Sequence, residues 1–99
     1  MAKVKCEITY PSSLISNIGE FEINYEEANE SVEETGKLIV INENVDVDIM
    51  LHIVGLLFGP RNATCYMDVY VGNDKVNPVP IESKYKQKIG AQLFNWSAS

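Results

Sequence analysis

Apolar and polar residues alternate along two segments near the start of the chain. Every second residue of 3–10 is apolar or aromatic, and residues 20–26 repeat the pattern with Phe21, Ile23 and Tyr25 on one face. A period of two is typical of a β-strand that buries one face and leaves the other to solvent. We therefore predict half-buried strands in both segments, with Phe21, Ile23 and Tyr25 directed inward.

The same kind of pattern predicts more strands in the middle of the chain. Residues 37–42 are rich in β-branched side chains, which favour strands, and residues 44–55 form the longest alternation of the sequence. Residues 64–71 alternate as well, and the Gly-Asn-Asp triplet that follows them is a hairpin signal. Two prolines restrict residues 76–81 to a sheet edge, because proline has no N–H to donate to a ladder.

Three other segments are less regular. Residues 12–19 form a connection that holds at most one helical turn, and residues 27–36 are predicted to be either a short acidic helix closed by Gly36 or a solvated loop. In residues 82–96, apolar side chains spaced by four suit a helix, whereas alternating lysines suit a strand. We favour a strand or extended arm through Ile89, followed by a short segment that docks on the domain.

Together these elements predict one domain, residues 1–99, of the mainly β class or the α+β class. Five to six antiparallel strands would form a small sandwich, a barrel or a curved sheet, with at most one or two short helices. A chain of this size buries roughly two-thirds of its unfolded surface, which is enough for one core. The composition, 45% hydrophobic and 22% charged, is ordinary for a globular protein.

Charge divides the chain unequally. Residues 1–50 carry eleven carboxylates and three lysines, a net charge of −8, whereas residues 51–99 carry three carboxylates and five basic residues, a net charge of +2. Such a division creates a field that steers charged partners. The total of −6 disfavours direct binding to nucleic acid or to anionic membranes. With no apolar leader segment visible, we expect a cytoplasmic protein, or one of the host cytoplasm if it is virus-encoded.

Residues that carry catalysis or bind metals are sparse in this sequence. The one histidine, His52, shares a predicted strand face with Asp46 and Asp48, but no nucleophile accompanies it. Zinc requires three or four cysteine or histidine ligands, and the set Asn44, Asp46 and Asp48 lacks the glycine and the distal glutamate of a calcium loop. We therefore predict a protein that is not an enzyme and that uses no cofactor and no metal.

Cys6 and Cys65 both fall on the apolar phase of predicted strands. We favour two buried free thiols that pack as small hydrophobic residues. The alternative is one disulfide between the first and fifth strands, which would imply an oxidising compartment.

A group of glutamates in the first half is the predicted binding surface, although outward carboxylates are most often only a solvated face. The hypothesis is a non-catalytic acidic binding protein, such as an inhibitor, an immunity protein or a phage-encoded protein, that blocks a basic or nucleic-acid-handling protein partner. The residues assigned to this surface are Glu20, Glu22, Glu26, Glu27, Glu30, Glu33 and Glu34.

The alternative hypothesis is a self-assembling viral or phage structural subunit, and therefore a homo-oligomer. The acidic face of one copy would meet a lysine-bearing edge of the next copy in a head-to-tail contact. The residues assigned to this contact are Lys84, Lys86 and Lys88, with Phe94 and Trp96 as apolar anchors if they are exposed. Lysines on an edge strand also guard against aggregation, which is the competing interpretation.

Overall fold

The chain folds into β-strands joined by short connections. The computed structural model describes residues 1–9, 17–28, 30–34, 36–48, 50–58, 64–86 and 91–98, and no helix occurs among them. The strands are β1 (Ala2–Thr9), β2 (Asn17–Ile23), β3 (Glu26–Glu27), β4 (Glu30–Glu34), β5 (Lys37–Val45), β6 (Leu51–Phe58), β7 (Tyr66–Val71), β8 (Asp74–Lys75), β9 (Ile81–Glu82), β10 (Lys84–Lys86) and β11 (Ala91–Ala98).

The strands form two antiparallel sheets. Sheet A has the order β4-β5-β1-β7-β8, with β9 also paired to β7, and sheet B has the order β10-β11-β6-β2-β3. The two sheets share one hydrophobic core, so the arrangement is a small sandwich. The prediction of a mainly β fold of antiparallel strands is confirmed.

Alternation along the long strands builds the core between the sheets. In β1 and β6 every second residue is buried, so one face of each strand packs inward. Sheet A contributes Val4, Cys6, Ile8, Leu38, Val40, Val45, Met67 and Val69, and sheet B contributes Phe21, Ile23, Leu51, Ile53, Leu57 and Phe94. Burial of these side chains is the main stabilising contribution, worth roughly 1.5–3 kcal/mol for each large one.

Gly55 in the middle of β6 makes room for an aromatic ring. It pairs with Phe21 on one side and with Phe94 on the other, and both phenylalanines are buried. A Cβ atom at position 55 would collide with the Phe21 ring. The missing side chain therefore lets the ring of Phe21 lie directly over the β6 backbone.

The long alternation of residues 44–55 was predicted to be one strand, and this is wrong. The chain leaves sheet A at Val45 and enters sheet B at Leu51, and both residues are buried in the shared core. The alternation of apolar residues continues through the connection, because the strand before it and the strand after it both place side chains in the same core. Periodicity alone therefore could not reveal the change of sheet.

The interpretation of residues 27–36 as a helix or loop is also wrong in the described part. Glu26–Glu27 and Glu30–Glu34 are edge strands, and Gly36 lies in the turn of the β4–β5 hairpin with a positive φ of 76°. Edge strands need no apolar alternation when little of their surface is buried, which explains why the pattern was missed. In the connection predicted for residues 12–19, Asn17–Ile23 begins a strand, and residues 10–16 lie outside the described part.

The proline-containing segment lies at an edge, as predicted. This segment joins β8 to β9, and both strands pair with β7. Between β8 and β9 along the chain, the buried side-chain amide of Asn77 makes hydrogen bonds to β7. The Asn77 Oδ1 accepts from the Val69 N–H at 2.7 Å, and its Nδ2 donates to the Val79 carbonyl at 2.8 Å. A side-chain amide thus replaces backbone pairing where the prolines interrupt it.

The end of the chain forms strands. Lys84–Lys86 pairs with the eight-residue strand Ala91–Ala98, which in turn pairs along all of β6. The strand interpretation favoured for this segment is confirmed in its described part, and the docking segment is itself a central strand of sheet B. Residues 87–90, including Lys88 and Ile89, lie outside the described residues.

The two cysteines are free and buried. Cys6 lies opposite Val69 across the β1–β7 ladder, whereas Cys65 is four residues before Val69. That offset corresponds to roughly 13 Å along a strand, whereas a disulfide needs Cα atoms within about 7 Å. Burial raises the pKa of Cys6 from 9.0 to about 12 and that of Cys65 to about 11, so both thiols stay protonated at neutral pH.

Candidate functional site

Four glutamates of the predicted surface lie together on the β2–β3 side of sheet B. We call Glu20, Glu22, Glu26 and Glu27 the acidic edge. Glu20, Glu26 and Glu27 are exposed, and Glu22 is half-buried. Among the described strands β3 ends sheet B, so none of them pairs with its outer backbone groups. The acidic edge therefore combines negative charge with an open strand edge.

Like charges face each other within this edge. Glu22 lies directly opposite Glu27 in the β2–β3 ladder. Side chains at directly opposed positions stand about 5 Å apart at Cβ, and like charges there destabilise the pair. The hairpin thus carries a cost in stability that a neutral or mixed pair would not have.

The other three predicted glutamates lie on the edge strand of the opposite sheet. Glu30, Glu33 and Glu34 belong to β4, which among the described strands pairs with β5 alone. The chain passes from β3 to β4 within three residues, so the two edge strands border the same side of the sandwich. The structure therefore places the seven predicted positions on three consecutive strands, β2, β3 and β4, the last two of which are edge strands among those described.

Four lysines have side chains that the structure describes, and all four belong to sheet A rather than to the sheet of the acidic edge. Lys3 and Lys5 are in β1, Lys37 is in β5 and Lys75 is in β8. Within the described residues the ion pairs are Lys37–Glu7 at 3.5 Å and Lys75–Asp68 at 3.3 Å, and neither involves the acidic edge.

The outer face of sheet A is a network of mixed charge. The Lys5 ammonium lies 4.6 Å from the centre of the Tyr70 ring. The Tyr70 hydroxyl donates a hydrogen bond to Glu7, which raises the pKa of Tyr70; desolvation and the negative charges of Glu7 and Asp68 add to the effect. Glu7 and Asp68 on this face are thus offset by nearby lysines, whereas the glutamates of the acidic edge take part in neither described ion pair.

The tip of the β2–β3 hairpin is strained. Asn24 and Tyr25 connect Ile23 to Glu26 and have φ values of 51° and 66°, the conformation of a type I′ turn. Left-handed backbone costs a non-glycine residue roughly 1–2 kcal/mol, and asparagine tolerates it better than tyrosine. Tyr25 was predicted to point inward, and this is wrong, because its side chain is 68% exposed.

Asn24 holds this tip against the rest of the sandwich. Its Nδ2 donates to the carbonyls of Asp46 and Met50, both at 2.9 Å, and its Oδ1 accepts from the His52 N–H at 2.6 Å. Its backbone N–H also donates to the His52 carbonyl at 2.7 Å. These bonds tie the turn to the β5–β6 connection and compensate for its strained backbone.

His52 contacts the hairpin tip rather than a carboxylate. Its ring stacks on Tyr25 with the ring centres 5.0 Å apart and the planes inclined by 19°. Asp46 instead accepts a hydrogen bond from the Asp48 N–H at 3.1 Å. The histidine–aspartate arrangement considered from the sequence is therefore not formed, since the predicted strand that would have carried it is interrupted.

A cavity of about 320 Å³ lies beside the same hairpin tip. Its lining includes buried apolar side chains and exposed carboxylates, and Tyr25 contributes to its wall. The residues that line it are Met1, Ile23, Asn24, Tyr25, Glu26, Asn44, Val45, Asp46 and Met50. Sequence reasoning had assigned Glu26 to a binding surface but missed Tyr25 and Asp46. The Asn-Tyr dipeptide after an alternating run was the available turn signal.

The second predicted surface, for self-association, is divided by the fold. Lys84 and Lys86 lie in β10, the edge strand of sheet B opposite to β3. Phe94 is fully buried in the core and Trp96 is half-buried against it. Phe94 and Trp96 were predicted as anchors only if they are exposed. Phe94 is not exposed, because its side chain points from β11 into the core.

No group of three or more histidine, cysteine or carboxylate side chains suited to a metal ion occurs among the described residues. In the same part of the chain, no helix could span a membrane. Comparison of the chain with protein-family models, curated proteins and solved structures finds no match.

Proposed function

We propose that this protein is a non-catalytic binding protein that recognises a basic surface on a protein partner through its acidic edge. The observation that carries the proposal is the direct opposition of Glu22 and Glu27 in a hairpin whose four glutamates take part in neither described ion pair. A row of uncompensated carboxylates lowers stability but provides a negative potential that attracts cations. An inhibitor or immunity protein directed at a basic or nucleic-acid-handling partner would use such a surface.

The geometry favours one continuous contact. β3 and β4 border the same side of the sandwich, so a partner on that side meets carboxylate-bearing strands from both sheets. Electrostatic complementarity of this kind raises the association rate and selects partners of opposite charge.

The experiment measures the affinity of the folded chain for an octalysine peptide as salt is raised. Between about 10 mM and about 1 M salt the Debye length falls from roughly 30 Å to roughly 3 Å, so binding should weaken strongly. The double variant Glu22→Lys with Glu27→Lys should lose most of the low-salt affinity.

A matched control separates a local surface from net charge alone. Glu43→Lys with Asp74→Lys changes the total charge equally but at exposed positions on sheet A. The proposal requires that this control keep most of the affinity. Equal weakening in both double variants, or affinity independent of salt, would refute recognition through the acidic edge.

A second candidate function, self-assembly, is favoured by the arrangement of sheet B. Its two edge strands are β3, with Glu26 and Glu27, and β10, with Lys84 and Lys86, separated by roughly 19 Å across the sheet. An edge of one copy that pairs with the opposite edge of the next would extend the sheet and place opposite charges together. Light scattering that gives only the 11.1 kDa monomer at every concentration and salt would exclude it.

A further inference from the structure

The cavity at the hairpin tip has an apolar base and a negatively charged rim. Ile23 and Val45 line it and are buried, whereas Glu26 and Asp46 line it and are exposed. Its volume of about 320 Å³ is at the lower end of the range for small-molecule sites, roughly 300–1,000 Å³. It suits one long side chain whose stem is apolar and whose end is positively charged.

Tyr25 provides an aromatic surface at the mouth of this cavity. One face of its ring stacks on His52, and the side chain is 68% exposed, so surface remains for a ligand. The turn holds the ring in place, since Asn24 is bonded to Asp46, Met50 and His52. A partner that stacks on Tyr25 therefore meets a ring that already packs on His52.

We infer that this cavity receives an arginine side chain of the protein partner, with its guanidinium stacked on Tyr25 and paired with Glu26 and Asp46. The inference rests on the proposed function, because Glu26 belongs to both the acidic edge and the cavity. It adds a specific anchor to a surface that would otherwise recognise only charge.

Arginine fits this site better than lysine. The guanidinium is planar, stacks on aromatic rings and presents five N–H donors that can serve two carboxylates at once. A lysine ammonium is a compact, strongly hydrated charge that gains less from stacking. The methylene stem of arginine can cover the apolar base formed by Ile23 and Val45.

The test compares hexaarginine and hexalysine peptides of equal charge in binding to the folded chain. We expect the arginine peptide to bind roughly three- to fivefold tighter than the lysine peptide. Tyr25→Gly, which suits the turn, should bring this ratio close to one by weakening hexaarginine binding more than hexalysine binding, whereas Tyr25→Phe should keep the ratio. Tyr66→Ala, which removes another exposed tyrosine, is the control and should keep the ratio.

A second pair of variants tests the rim of the cavity. Asp46→Asn should lower the arginine-to-lysine ratio, whereas Asp74→Asn, at a separate cavity of about 440 Å³, should not. The arginine site would be overturned if the two peptides bound the unmodified chain with equal affinity. The proposed function would remain intact in that case if the double variant Glu22→Lys with Glu27→Lys still lost its affinity for hexalysine. Absence of binding by both peptides at low salt would overturn the two together.

Discussion

Single residues explain how the hairpin tip keeps an unfavourable backbone. Asn24 satisfies two carbonyls and one N–H from the β5–β6 connection and the start of β6, so the turn is held from outside. Tyr25 makes no such bond with the residues that the structure describes, but its ring stacks on His52. A tyrosine therefore occupies a position where glycine would carry less backbone strain.

We predict that Tyr25→Gly is more stable than Tyr25→Ala by about 1 kcal/mol. Both variants lose the stack on His52, but only alanine keeps the cost of a Cβ atom at positive φ. The difference between their free energies of unfolding in urea measures the strain. No difference between the two variants would show that the turn is not strained at this position.

We predict that Gly55→Ala lowers the free energy of unfolding by roughly 1–3 kcal/mol, because the new Cβ atom would force the Phe21 ring to move in a packed core. Urea denaturation measures the loss. Adding Phe21→Leu should recover part of it, since a smaller side chain leaves room. A Gly55→Ala variant as stable as the original chain would contradict this packing.

Thiol ionisation predicts how stability changes at high pH. The folded-state pKa values of about 12 for Cys6 and about 11 for Cys65 lie above the unfolded value of 9.0, so the fold favours the protonated thiols. Their contribution is complete below about pH 9 and is lost as pH rises toward 11–12, with a slope of up to about 1.4 kcal/mol per pH unit for each thiol. Urea unfolding across this range should show a steeper loss of stability in the cysteine-containing chain than in the control with Cys6→Val and Cys65→Val, which keeps the contribution of Tyr70.

At the level of strands, the sequence was informative where one face is buried. The strands around Ile8, Ile53 and Met67 were predicted because alternate side chains enter the core, and the ladder confirms them. The edge strands β3 and β4 were missed because their glutamate-rich sequences show no apolar alternation, which an edge strand does not need when it buries little surface. The break between Val45 and Leu51 was missed because both residues serve the same core.

The candidate site could be predicted only in part for the same reason. Glu20, Glu22, Glu26 and Glu27 were proposed from the sequence because glutamates cluster in this part of the chain. A cluster of charged residues is visible in the sequence without knowledge of the fold. The contribution of Tyr25, His52 and Asp46 depends on contacts between residues more than twenty positions apart along the chain. Such contacts follow from the pairing of β2 with β6, which alternation does not specify.

The β2–β3 hairpin should become more stable when its facing charges are reduced. We predict that Glu22→Gln raises the free energy of unfolding by a few tenths of a kcal/mol, because it removes the opposition with Glu27. Thermal unfolding at low salt should show a higher midpoint for the variant, and the difference should shrink at high salt. Glu43→Gln, at an exposed position of β5, is the control. A lower midpoint for Glu22→Gln would mean that the glutamate stabilises the hairpin.

For the whole molecule, each sheet contains strands from both halves of the sequence, so the division of charge along the chain is not a division between the two sheets. The paired lysines and carboxylates lie on the outer face of sheet A, and the acidic edge lies on sheet B. The first half of the chain carries a net charge of −8, and its lysines do not neutralise all its carboxylates equally. Lys37, for example, pairs with Glu7 in sheet A and not with a glutamate of the acidic edge.

The central claim is tested most directly by mapping where a cationic probe binds. In a titration of the isotopically labelled chain with octalysine at low salt, we predict that the largest amide shifts fall in residues 20–27 and at the neighbouring positions of β4. Glu22→Lys with Glu27→Lys should remove these shifts. Shifts spread evenly over both sheets, or concentrated around Glu43 and Asp74, would contradict the account.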